Sequence, residues 1–375
     1  MRIVPRPDRP VIHSTGVPGA SSTPRSAGAD GEAPFDEPRV MTSTDARPPA
    51  TPPATRVRGP GDLVAAVPAL VGFHPQDSLV CVVLGPPGAS VRLTARVDLP
   101  THSDTAAWDA VAATMQNAAG QAGGRAAVLV VYSGAPRLAD QAERRVGRAL
   151  RQAGVDVTDV LRVHDGRYYG VACRDERCCP ARGRPIPGTS ALQARLAVEG
   201  RVVVPTRADL AGEIDAPAGA HAPVEGDRAR NAVARVSGAV DPPTMARELA
   251  AALEEVSSGV LRPDRAVRLA VLAGDGDCRD EVYRHLVAGP VEAHRRLWAT
   301  VCRAVPGPDS VVPLALFALA AYLEGDGAVA NVAWERAARR DPGHPTVGLV
   351  GDILAGAVPP SRVVEALAHA VGMGR

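Results

Sequence analysis

Cys173, Cys178 and Cys179 lie within seven positions of one another, among Arg174, Arg177, Arg182 and Arg184. Nearby guanidinium groups favour thiolate over thiol, and the thiolate is the form that attacks electrophiles and binds metals. Three thiolates also approach the ligand count of a zinc or iron–sulfur site. The spacing points the other way. There is no CxxC, adjacent cysteines share one ion poorly, and no fourth ligand stands nearby in sequence. His164 is too far, because it sits at the turn of a hairpin whose far end carries Cys173, roughly eight residues away at ~3.3 Å each. Asp175, Glu176 or His74 would reach the thiols only through the tertiary fold. Three roles stay open for these cysteines: inert structural thiols, metal ligands, or a redox pair of Cys173 with Cys178 or Cys179.

A second group is His74, Asp77 and Ser78 in the loop from Gly72 to Ser78. These are the residue types of a hydrolytic triad. Pro75 stiffens the loop, however, and no glycine elbow presents Ser78 as a nucleophile. Asp77 fits a turn, and Ser78 enters a strand where its hydroxyl would bond locally. His74 remains a candidate to line a cleft. A third group, Arg96 with Asp98 at a strand end, is read as an ion pair before a ligand site. Arg184 completes the candidate ligand-binding set.

Composition removes several chemistries. All 42 basic residues are arginine. Without lysine there is neither a Schiff-base nucleophile nor a phosphate-loop lysine, so no pyridoxal phosphate and no P-loop nucleotide site is expected. Gly85 to Gly88 joins two neighbouring strands and reads as a hairpin, not as an anion cradle. The formal net charge of +1 and an aromatic content of 3% give no signal for nucleic acid or an anionic membrane. No apolar stretch follows the first arginines as a secretory signal would require. The run from Val311 to Leu323 is too short to span a bilayer and reads as a buried helix. A cytoplasmic location is expected, and there the six cysteines form no disulfide framework.

These side chains need elements to position them. Residues 1–56 are rich in Pro, Ala, Ser, Thr and Arg and are expected to be disordered; a translation start at Met41 would remove most of them. Residues 57–214 read as a mixed α/β domain. Asp62 caps a helix from Leu63 to Leu70. Strands follow at Ser78 to Leu84 and Val91 to Leu99, a helix over 104–119, a strand from Ala126 to Tyr132 and a helix from Arg137 to Ala153. Asp165-Gly166 is a hairpin turn, joining strand Val157 to His164 with strand Arg167 to Cys173. Ser190 and Gln193 form a capping box for a helix ending before Gly200, and Arg201 to Val204 is a short strand. A short helix then closes the domain.

Residues 215–226 are a Pro/Ala/Gly linker. Residues 227–375 read as all-helical, with helices near 264–273, 278–288, 291–304, 310–323, 327–340, 346–355 and 361–371, after one striped by Met245, Leu249, Leu253 and Val256. One hairpin is tetratricopeptide-like: Ala318, Ala330, Trp334, Ala337 and Pro342 fall on that repeat's positions, with Tyr322 one place out of register. Such arrays need about three units, so a helical hairpin within a bundle is the plainer reading. The fold class is α/β (α+β): a mixed-sheet N-terminal domain followed by an all-helical domain.

Gly61-Asp62-Leu63, Val67-Pro68 and Gly72-Phe73-His74-Pro75-Gln76-Asp77-Ser78-Leu79-Val80 resemble the opening of an actinobacterial family, domain of unknown function 4192. Arg96-Val97-Asp98-Leu99-Pro100 is similar to its second block. Cys178-Cys179-Pro180 with Gly183-Arg184-Pro185 is similar to its third. Ala320 to Ala328 and Asp341-Pro342-Gly343-His344 resemble its helical end. The resemblance covers nearly everything after residue 57. It implies an actinobacterial origin and both parts travelling together, but no activity. Two functions are therefore expected: a non-enzymatic ligand- or protein-binding regulator, with protein met by the helical part; or an enzyme, redox or metal protein using the loop from Cys173 to Pro187 with His74.

Overall fold

The structure is a computed structural model, and it describes residues 59–86, 90–173, 175–198, 202–215, 240–305 and 307–373. The tail expected over 1–56, the start at Met41, nearly all of the linker expected over 215–226, and Arg174 lie outside the described residues.

Helix α1 (Pro60–Val71) starts one residue after Gly59, with Pro60 at its first position. Asp62 therefore does not cap it. Asp62 sits in the first turn, where a carboxylate still meets the positive end of the helix. Strands β1 (Ser78–Gly85) and β2 (Ser90–Asp98) form an antiparallel hairpin. Helix α2 (Thr105–Gln121), capped by Asp104 (2.9 Å to the Ala107 amide), leads to β3 (Ala126–Tyr132). Helix α3 (Pro136–Ala142) runs through a π-helical turn (Glu143–Gly147) into α4 (Arg148–Gln152). Strands β4 (Asp156–His164), β5 (Arg167–Gly170) and the two-residue β6 (Arg184–Pro185) complete the sheet. Its order is β2-β1-β3-β4-β5-β6. Only β3 and β4 pair in parallel, joined by the α3–α4 crossover.

The sheet is covered on both faces, and side-chain alternation decides which residue serves which face. Val80, Val82, Val128, Val130 and Leu161 pack with Leu63, Val64 and Val67 of α1. Leu79, Cys81, Val83, Leu129 and Val131 pack with Trp108, Met115, Val146 and Leu150 of α2 and the α3–α4 segment.

Two expected strands come out differently. β5 stops at Gly170 rather than Cys173, because the chain bends away there and only the Val171 amide still reaches back, to the Val160 carbonyl (2.9 Å). The segment from Arg201 to Val204 makes no strand among its described residues, only a bridge between Val204 and Phe73. The Thr206 amide, which would carry the next rung, bonds the Asp209 carboxylate instead (2.8 Å), so that ladder goes no further. Helix α5 (Ala191–Val198) is capped as its sequence predicts, with the Gln193 amide 3.0 Å from Ser190 Oγ. A 3-10 turn (Ala208–Glu213) follows.

The helical region comprises α6 (Pro242–Ser257), α7 (Pro263–Leu272), α8 (Gly276–Ala288), α9 (Val291–Ala304), α10 (Val311–Leu323), α11 (Gly327–Arg340), α12 (Pro345–Gly356) and α13 (Pro360–Ala370). Asp241, Asp275 and Asp326 cap α6, α8 and α11 through their side chains. Every residue of α10 is buried, so an all-apolar helix serves as the centre of the bundle. No helix among the described residues is long and apolar enough to cross a membrane.

The apolar core on the α1 side of the sheet continues without a break through Leu210, Ala211 and Ile214 into the helical region. Ion pairs flank that junction. Arg207 holds Glu335 of α11 with two bonds (2.8 and 3.2 Å). Arg295 of α9 reaches Glu213 (2.6 and 3.0 Å), Glu324 (2.9 Å) and Asp326 (3.0 Å).

Candidate functional site

The loop between β5 and β6 carries the clearest constellation. The sulfur atoms of Cys173, Cys178 and Cys179 all lie within 4.8 Å of one another. Cys178 and Cys179 are 3.9 Å apart at sulfur, although adjacent in sequence. Local bonds produce this. The Asp175 carbonyl accepts from the amides of Cys178 (3.1 Å) and Cys179 (2.6 Å), and its carboxylate accepts from the Arg177 amide (2.9 Å). That tight turn brings the cysteine pair back over the end of β5. Gly170 makes the approach feasible, since a Cβ there would stand 2.7 Å from Cys179 Sγ.

The arginines act differently from the expectation. Arg184 does not face the thiols as a counter-charge; its guanidinium donates to the carbonyls of Cys178 (2.6 Å) and Arg177 (2.7 Å). Arg167 donates to the carbonyls of Arg182 (2.7 Å) and Gly183 (3.0 Å). Both brace the loop backbone. The Cys173 thiol is still lowered, chiefly by a hydrogen bond from the Asp175 backbone and then by the neighbouring thiols. The Cys179 thiol is pushed up to about 12, by desolvation and by its hydrogen bonds and charge contacts with Cys173 and Cys178. Deprotonation is thus favoured at Cys173 over Cys179, and a second thiolate beside the first is opposed.

No histidine or carboxylate joins the three sulfurs among the described residues. His164 pairs with Asp165 (3.1 Å) at the hairpin turn instead. Glu176 is exposed and outside the cluster.

The loop from Gly72 to Ser78 is built as a structural corner. Ser78 is fully buried; its hydroxyl donates to the Gln76 carbonyl and accepts from Arg96 Nε (2.9 Å) and Nη2 (2.6 Å). It is neither accessible nor paired with a base. Asp77 takes a left-handed backbone (φ 40°) as the chain enters β1, and its carbonyl receives the Leu99 amide (2.9 Å). His74 is exposed, and its amide donates to Val204 (3.3 Å). The structure thus leaves His74, Asp77 and Ser78 unassembled as a triad. Arg96 does pair with Asp98 (2.6 Å), while its buried guanidinium stands 5.7 Å from the Phe73 ring centre. Burial lowers the Arg96 pKa, and Asp98 partly offsets this. A separate cleft of about 1180 Å³ lies where the sheet part meets α9 and α11. Gly72, Val204, Glu213, Arg295 and Arg303 help to line it; His74 does not.

Gly170 and Arg167 are the site residues that sequence reasoning missed, and Asp175, considered there only as a possible metal ligand, instead holds the turn. An aspartate opening a cysteine-bearing turn was a usable signal, because Asp side chains bond amides two residues on. Nothing local marked Gly170.

The family described as Domain of unknown function (DUF4192) matches residues 60–361. The chain belongs to this family. The match takes in the Gly72 to Ser78 corner, the thiol loop and the helices through the start of α13, so all three lie within one family unit. No curated protein and no solved structure matches the chain.

Proposed function

We propose that this family member is a non-enzymatic regulatory binding protein whose ligand, a thiophilic metal ion, is held by Cys173, Cys178 and Cys179. The observation that carries this reading is the convergence of three sulfurs within 4.8 Å on a braced surface loop. Thiolates are soft ligands and select metals accordingly. The helical region supplies the surface for a protein partner, with the α10–α11 hairpin packing in tetratricopeptide-like fashion. Ala318, Ala330 and Ala337 are buried along it, and Trp334 is half-buried. A cytoplasmic location, where thiols stay reduced, and an actinobacterial origin belong to the same reading. Neither nucleic acid nor a membrane is a partner in it.

The test is metal analysis and thiol titration on full-length protein, purified reduced and without chelator and then re-supplied with metal. Stoichiometric metal that is lost in the Cys173→Ser/Cys178→Ser/Cys179→Ser variant supports the reading. Less than a stoichiometric trace in both preparations refutes it.

The lowered Cys173 thiol favours a second reading, a peroxide-responsive dithiol. The Cys173 thiolate attacks the peroxide oxygen, giving a sulfenic acid and releasing water or alcohol. Cys179 then displaces water to form the disulfide, so two thiols supply the two electrons that reduce the peroxide. A two-hydrogen mass loss on peroxide treatment, absent from Cys173→Ser, distinguishes it.

A further inference from the structure

We infer that the thiol loop is a three-coordinate site for Cu(I), preferred over Zn(II); this deepens, and rests on, the thiol-ligand reading above. Ligand count comes first. Structural zinc is almost always four-coordinate, and bonds of ~2.3 Å to sulfur are its usual length. Here three sulfurs converge, and no histidine or carboxylate among the described residues stands with them. Asp175, the acid inside the loop, already spends its carboxylate on the Arg177 amide and its carbonyl on the two cysteine amides. Zinc would have to complete its shell from solvent. A soft monovalent ion is satisfied by three thiolates in a plane.

The spacing fits as well. Three sulfurs at ~2.3 Å from a central ion in one plane lie ~4.0 Å apart, and Cys178 and Cys179 are already at 3.9 Å. Closing the remaining edges from within 4.8 Å requires only side-chain adjustment. Three thiolates and one Cu(I) leave a net negative site, and solvent screens it because Cys173 and Cys178 are exposed. Cys173 and Cys178 are exposed, so a bound ion is open to exchange with an incoming thiol of another molecule. The other three cysteines, Cys81, Cys278 and Cys302, are buried and do not compete.

Gly170 and Arg184 act here as positioning residues, one by leaving room for Cys179 Sγ and the other by holding the Cys178 carbonyl. The experiment is anaerobic titration of the reduced full chain with Cu(I) and, separately, Zn(II), each against a chromogenic chelator, with X-ray absorption of the loaded protein. One Cu(I) per chain, bound more tightly than Zn(II), with three sulfur neighbours and no light-atom neighbour, is the expected result. Gly170→Ala and Arg184→Ala, which keep every thiol, should each weaken Cu(I) binding about 10- to 100-fold, as supporting residues around metal ligands typically do. Circular dichroism of each variant separates this from loss of fold. Tighter binding of Zn(II) with a solvent oxygen as fourth ligand overturns the Cu(I) assignment and leaves the thiol-ligand function standing. Binding of neither metal, or equal binding by the variant with all three cysteines changed to serine, overturns both.

Discussion

Ser78 and Arg96 show how residue type and role separate. A serine near a histidine and an aspartate is the raw material of a nucleophile, yet the Ser78 hydroxyl is fully buried and serves to hold Arg96. A guanidinium taken out of water needs such partners, and one side of Arg96, Nη1, still has none. His294 is a second buried polar residue, with a readable consequence. Desolvation, helped by the charge of His285, lowers its pKa from 6.5 to about 4, against a hydrogen bond with the His285 backbone. The folded protein therefore resists protonation, and the unfolded chain binds the proton first as pH falls. The contribution of His294 to stability is full above pH ~6.5 and is lost as pH drops toward 4, by on the order of 3 kcal/mol. Urea unfolding of wild type and His294→Gln across pH 4–7 checks this. The wild type should lose more stability than the variant over that window, and parallel curves would clear His294 of the effect.

At the scale of elements, α12 offers a controlled comparison within one helix. Gly348 faces open space, whereas a Cβ on Gly351 would meet the Trp334 ring at 3.0 Å. That ring is held by its Nε1–H bond to the Val347 carbonyl (2.9 Å). Alanine in a helix interior ordinarily gains about 1 kcal/mol over glycine. Gly348→Ala should raise the thermal midpoint accordingly. Gly351→Ala should forfeit the gain and shift tryptophan emission, because the ring must move or the helices must part. Equal midpoints for the two variants would show that Trp334 yields freely. The thiol loop follows the same logic of close approach, where a missing Cβ at Gly170 lets Cys179 reach its place.

For the whole molecule, the decisive fact is that one apolar core runs from the sheet into the helices. Arg295 lies beside it and ties α9 to Glu213 of the sheet part and to Glu324 and Asp326 at the α10–α11 corner. Burial by itself would lower the Arg295 pKa; the bonds to Glu213 and Glu324 and the charges of Asp326 and Glu213 raise it instead. Arg295→Ala leaves three partly exposed carboxylates crowded without their cation and should cost about 1–2 kcal/mol. Denaturant unfolding followed by far-ultraviolet dichroism and by tryptophan emission should give coincident transitions in wild type. In the variant the midpoint should fall in both signals. An unchanged midpoint would mean that solvent replaces the guanidinium at no cost.

The sequence by itself determined the local elements. Ala126–Tyr132 is apolar throughout because a central strand is covered on both faces, and α10 is apolar throughout because a bundle centre is. Asp165 and Gly166 take the positive φ values (48° and 67°) that their turn demands. The helices of the second half begin where aspartate or proline allows them to. Such features depend on neighbours a few residues away, and periodicity records them. Only the tertiary structure decided which polar groups meet. Ser78 finds Arg96 across a strand pair, 18 positions away, and Arg295 finds Glu213 82 positions away. The three thiols, unpromising by their spacing, converge because the chain bends at Gly170 and turns on Asp175. Spacing along a chain limits reach, but the path taken between two residues sets their distance, and that path depends on contacts the local pattern does not carry.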